Sequence, residues 1–180
     1  MIININSSIE LKCRKFAKEC VGTNKGYYAR ARNQSNASKV EQDILLGKVC
    51  EYAVWEFLGK EIEEPDTEIY QAKDKKHSAD LGTDYHIKSC RVGGIISWVY
   101  QPKCEYLYTG KHVYCLINKD TLEVTVKYII SGEKLKKHDM YSDPYSEHLM
   151  GKKVCVYQYD FKLLDDDELI YIYKGEKNES

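Results

Sequence analysis

The chain has 180 residues, 43% apolar and 31% charged, which suits one globular domain able to bury a substantial core. A net charge of −1 excludes a globally basic nucleic-acid binder but not one basic face, and no run of about 18 apolar residues offers a membrane span. The seven cysteines are odd in number, scattered and never arranged as C-x-x-C, and the opening MIININSSIELK lacks a signal peptide's basic lead and apolar core, so free thiols and a cytoplasmic location are expected.

In chain order, SSIELKCRKFAKEC (7–20) spaces Ile9, Cys13, Phe16, Ala17 and Cys20 as a helix does, with serines available to cap it. GTNKGYYARARNQSN (22–36) reads as an exposed loop or short arm. SKVEQDILLGKVCEYAVWEFLG (38–59) is a helix with a Ser38–Glu41 capping box, a broad apolar stripe from Ile44 to Leu58, and Gly59 as its stop. Strand-type runs then dominate, at 68–71, 79–81, 85–89 and 95–101. A hairpin is expected from 112–118 and 123–128 around Lys119-Asp120. Residues 129–137 read as a short helix and 139–151 as irregular. Late strands are expected at 154–159 and 169–174, and a disordered tail at 175–180. There is no internal repeat and no linker. The expected fold is a single α/β domain over 1–174 with a mixed central β-sheet flanked by helices.

The stretch DLGTDYHIKSCR (80–91) carries the chemistry. In an extended strand Asp84, His86 and Lys88 project to one face, and Tyr85, Ile87 and Ser89 to the other, with Ile87 as the core contact. A three-residue Leu81-Gly82-Thr83 loop would place Asp80 opposite Asp84, on the His86 and Lys88 face; a two-residue Gly82-Thr83 loop would send it to the other. A strand-end carboxylate, a ligand on the next strand and a lysine two residues later suit phosphodiester hydrolysis. The carboxylates hold a divalent metal that lowers the pKa of a bound water, and the lysine stabilises the developing charge. A glutamate from a nearby helix, such as Glu51, can add a ligand, though Lys48 and Glu51 also have the spacing of a surface ion pair.

DLGTDYHIKS, preceded by the helical GKVCEYAV, resembles the core of the PD-(D/E)xK nuclease superfamily, the restriction-endonuclease-like fold. The match covers about residues 38–101. The resemblance implies Glu51 as the helix carboxylate, Asp80 as the strand-end metal ligand and Lys88 as the lysine, with Mg²⁺ or Mn²⁺ as cofactor. Gln101, in SWVYQ, would point toward substrate, and Arg91, in SCR, joins it as a DNA contact. The departure is His86, which stands where the family carries Asp or Glu. His86 could ligate a softer ion such as Mn²⁺ or act as a general base, Asp84 could supply the missing carboxylate, or the site could be inactive. Arg30 and Arg32 in YYARARNQ could grip phosphates, with a solvated loop as the plain alternative.

The resulting expectation is a metal-dependent endonuclease hydrolysing DNA, of restriction or phage type, compatible with a homodimer. The catalytic set is Asp80, Lys88, His86 and Glu51, the metal set Asp80, Glu51, His86 and Asp84, and the DNA contacts Arg30, Arg32, Arg91 and Gln101. The alternatives are an inactive nucleic-acid- or protein-binding module on the same fold, and an RNA-directed nuclease.

Overall fold

A computed structural model describes residues 1–31, 36–68, 79–101 and 105–174, with the backbone alone for residues 22–31, 105 and 106. The expected strand residues 69–71, the tail 175–180 and Arg32 lie outside the described residues.

Asparagines start both long helices. After a short strand β1 (Ile2–Ile3), α1 (Ser7–Ala31) begins where Asn6 Oδ1 accepts the Ile9 N–H at 3.0 Å. Helix α2 (Ala37–Phe57) begins where Asn36 accepts the Lys39 N–H at 3.2 Å. The cap thus falls two residues before the expected Ser38–Glu41 box, since Asn satisfies an orphan N–H as well as Ser does. Gly59 ends α2 as expected, at φ +72°, with the N–H groups of Leu58, Gly59 and Lys60 turned back onto Val54, Glu56 and Trp55 carbonyls. The loop expected from residue 22 is instead the last part of α1. Gly costs a helix interior only about 1 kcal/mol relative to Ala, and a helix already nucleated propagates through such residues.

The strands that follow are β2 (Tyr85–Arg91), β3 (Ser97–Tyr100), β4 (Lys111–Ile117), β5 (Val124–Ser131), β6 (Val154–Tyr157) and β7 (Tyr171–Ile172), with a short helix α3 (Gly132–Lys137) after β5. The main sheet runs β1-β5-β4-β2, with β7 also on β5. Its β2–β4 pair is parallel and the rest antiparallel, so the sheet is mixed. The expected hairpin is β4–β5. Asn118 Oδ1 organises its turn by accepting from the N–H groups of Asp120 and Thr121 at 2.9 and 3.3 Å.

Residues 129–131, expected as helix, extend β5, because Ile129 and Ile130 pair with Val113 and His112 and bury on opposite faces of the sheet. Between the pairs Tyr114↔Tyr128 and Cys115↔Val126, Lys127 is an extra residue. This bulge switches which alternate residues of β5 face the helices, from Val124 and Val126 to Ile129. Residues 158–159, expected as strand, begin a 3₁₀ helix (Gln158–Leu163), in which Phe161 turns inward against Tyr128 and Trp98. Of residues 79–81, Leu81 alone pairs, with Tyr85.

The period-2 alternation of the sheet separates two cores. Helices α1 and α2 cover one face over Ile87, Val113, Cys115, Ile117, Val124 and Val126. On the other face the antiparallel β3–β6 pair, α3 and the 3₁₀ segment enclose Trp98, Tyr100, Tyr114, Tyr128, Ile130 and Val156. The fold is therefore mixed α/β with a mixed sheet and flanking helices. Among the described residues, no helix is long and apolar enough to cross a membrane.

Candidate functional site

Among the described residues strand β2 ends the main sheet, and a cleft of about 590 Å³ lies along it. Glu51 of α2, Asp80 of the preceding turn and Lys88 of β2 line it, together with Arg91, Gln101 and Lys153. Helix α2 lies on the face of β2 that buries Ile87, whereas Lys88 projects with His86 and Cys90 toward the face covered by β3. Glu51 and Lys88 therefore meet around the sheet edge and not across one face.

Asp80 belongs to that edge. Leu81 bridges to Tyr85, so the turn residues are Gly82, Thr83 and Asp84, one position later than the expected three-residue loop. Gly82 supplies the left-handed conformation at φ +53°. The shift lets Asp80 Oδ2 accept the N–H of Ile87 at 2.7 Å, tying the turn onto the middle of β2.

Glu51 is held by a buried cation. Lys48, one helical turn earlier, lies 2.5 Å from Glu51 Oε2, with its side chain 7% exposed and that of Glu51 17% exposed. The Lys48 ammonium also donates to the Asp66 carbonyl at 2.8 Å. Residues 61–68 are pinned over it: Tyr52 Oη donates to Glu64 Oε1 at 2.9 Å, and Trp55 Nε1 to the Ile62 carbonyl at 2.9 Å. What resembles a surface pair in sequence is thus an interior one. Burial pushes the Glu51 carboxyl up to about 7, and Asp80 adds to the rise; Lys48 and Lys88 oppose it.

The other two expected ligands are neighbours of this set that do not line the cleft. Asp84 pairs with Lys111 at 3.1 Å and, like His86, does not line the cleft. His86 is buried beside His112, with ring centroids 5.3 Å apart on paired positions of β2 and β4. Gly110 passes close at φ +65°; a Cβ there would fall 2.6 Å from the Asp84 carbonyl oxygen and 3.1 Å from the His86 ring. Burial lowers the His86 pKa, and Lys88 lowers it further against the opposing pull of Asp80 and Asp84. The fully buried His112 donates Nε2–H to the Thr109 carbonyl at 3.1 Å, and its Nδ1 lies 3.1 Å from the Tyr100 hydroxyl.

Arg91 lines the cleft but is 2.5 Å from Asp43 of α2, and Gln101 lines it at the end of β3. Arg30 lies on the helical backbone of α1, and its side chain, with all of Arg32, lies outside the described residues. Lys48 and Lys153 are the cations of this region that the sequence did not single out for function. The burial of Lys48 depends on residues 61–68 folding over it, and the position of Lys153 depends on the β3–β6 pairing. Neither leaves a local pattern.

Among the described residues, no group of three or more His, Cys, Asp or Glu side chains is placed to hold a metal ion. Glu51 and Asp80 are nonetheless two carboxylates on one cleft. Such a pair fits Mg²⁺, which keeps several waters and binds through one or two carboxylates and substrate phosphates, better than it fits a protein cage. The chain matches no known family model, no curated protein and no solved structure.

Proposed function

We propose that this protein is a divalent-metal-dependent endonuclease that hydrolyses DNA phosphodiester bonds, on a restriction-endonuclease-like fold and in a reducing cytoplasm. The observation that carries the reading is the meeting of Glu51, Asp80 and Lys88, from three separate elements, on one cleft. Asp80 and Glu51 would hold Mg²⁺ or Mn²⁺, which when bound neutralises phosphate charge and lowers the pKa of water. Asp80 Oδ2 is engaged by the Ile87 N–H and Glu51 Oε2 by Lys48, so each carboxylate is oriented by the fold while its second oxygen can meet a cation or water.

Lys88 acts on the phosphate. Its ammonium lies 5.3 Å from the Tyr100 ring centroid, a contact that steadies a long side chain, and it stabilises the negative charge growing on the phosphoryl oxygens. With Oε2 taken by Lys48, Glu51 has Oε1 to offer the cation, and burial, which pushes its carboxyl up to about 7, makes that ligation depend on pH. Arg91, Gln101, Arg30 and Arg32 are proposed as contacts to the DNA backbone.

The second reading is an inactive nucleic-acid-binding module. It draws on His86, which stands where the resemblance expects a carboxylate and is buried against His112. Incubation of DNA with the protein and Mg²⁺ or Mn²⁺ separates the two: cutting supports the endonuclease, and tight binding without cutting supports the module.

A further inference from the structure

Part of the cleft wall is built by β3 and by the segment entering β6. Val99, Tyr100, Gln101, Leu149 and Lys153 line it. The β3–β6 register pairs Tyr100 with Val154, so one further step along the antiparallel ladder sets Gln101 across from Lys153. The two polar side chains therefore occupy neighbouring positions at the end of this wall.

The segment carrying Lys153 is braced. The N–H groups of Lys152 and Lys153 both donate to the Leu149 carbonyl at 3.0 Å, which winds the chain into a tight turn before β6. Upstream, the Tyr157 hydroxyl accepts the Tyr145 N–H at 2.9 Å and donates to the Asp143 carbonyl at 3.0 Å. Ser142 and Cys155 exchange backbone hydrogen bonds of 2.8 Å in both directions. The position of Lys153 is thus set by a strand pair and a closed turn.

We propose that Lys153, with Gln101, binds a phosphate next to the scissile one, so that the substrate of this cleft is a polynucleotide strand and not a lone phosphoester. The inference rests on the endonuclease reading and adds to it a residue, Lys153, that holds the strand beside the scissile phosphate. An isolated phosphate would need only Lys88 and the carboxylate-held cation. A second lysine from a separate element, in a cleft of about 590 Å³, gives the chain a second phosphate to hold. Lysine serves this role as a point charge and glutamine as an amide donor, contacts that set the strand's position without reading its sequence. The exposed flank of Val99 and the side chain of Leu149 supply apolar surface for the sugar between the two phosphates.

The test compares two substrates in Mg²⁺ or Mn²⁺: a DNA duplex, and bis(p-nitrophenyl) phosphate, a small diester with no neighbouring phosphate. Lys153→Gln is expected to lower kcat/KM on DNA about tenfold more than on the small diester, mainly through KM. It is also expected to reduce the salt slope of DNA binding by about one unit. Lys153→Arg should recover most of the loss, and Lys152→Gln, one residue away and outside the cleft, should not reproduce it. Equal losses on both substrates, or no loss on DNA, would overturn the role of Lys153 while leaving the endonuclease reading intact. A wild-type protein that cuts neither substrate would overturn both.

Discussion

Asp80 Oδ2 accepts the backbone N–H of Ile87 at 2.7 Å, so a proposed metal-binding carboxylate is also the group that closes the turn onto β2. The two roles separate by substitution. Asp80→Asn keeps a side-chain oxygen for the Ile87 N–H but removes the charge, and should fold with a Tm near that of wild type while losing cleavage at least about 100-fold. Asp80→Ala removes the acceptor as well. It should cost about 1.5–3 kcal/mol of stability, roughly 3–12 °C in Tm for a chain of this size. Thermal denaturation beside a cleavage assay checks both. Equal Tm values for the two variants would mean that the hydrogen bond contributes nothing to stability.

Burial of the Glu51 carboxyl sets the sign of a pH dependence. Its pKa in the folded protein is raised from an ordinary 4.5 to about 7, mainly by burial, so between these values the folded state binds more protons than the unfolded chain. The stability contributed by the protonated form is complete below about pH 4.5 and is lost as pH rises through about 7. His86 acts oppositely: its lowered pKa favours the unfolded chain as pH falls below 6.5. Glu51→Gln isolates the first effect. Its stability relative to wild type should grow between pH 5 and pH 7.5, by an amount on the order of a few kcal/mol, as followed by urea unfolding at each pH. A difference that stays constant with pH would place the Glu51 pKa near its ordinary value.

His86 provides a third prediction. A carboxylate there would sit in a buried site beside the His112 ring, at a position that does not line the cleft. His86→Asp is therefore expected to lower stability by about 2 kcal/mol or more and to leave Mg²⁺-supported cleavage no higher than in wild type. A rise in Mg²⁺-supported cleavage would return position 86 to the metal set.

What was legible in the chain was what local periodicity encodes. The apolar stripe of α2, its Gly59 stop, the β4–β5 hairpin and the inward face of Ile87 each follow from neighbouring residues. The Asn36 cap was missed because Ser38 and Glu41 offered an equally sound signal two residues later. The end of α1 was missed because glycines and asparagines mark loops on average, yet a helix already formed can run through them. The site divides in the same way. Asp80 and Lys88 lie within one turn and strand and could be paired by eye. The burial of Lys48, the separation of His86 from the cleft and the arrival of Lys153 all depend on contacts far apart in the chain.

The central claim is that the cleft lined by Glu51, Asp80 and Lys88 cuts DNA, and a plasmid-nicking time course tests it most directly. Supercoiled plasmid is incubated with wild type, Lys88→Ala and Asp80→Asn in Mg²⁺, in Mn²⁺ and in EDTA. Wild type should convert the plasmid to nicked or linear form with either metal and not in EDTA. Lys88→Ala should be slower by about 100-fold or more, near 2.7 kcal/mol of lost transition-state stabilisation. Wild-type protein that binds the plasmid but never cuts it, or Lys88→Ala that cuts as fast as wild type, would contradict the account.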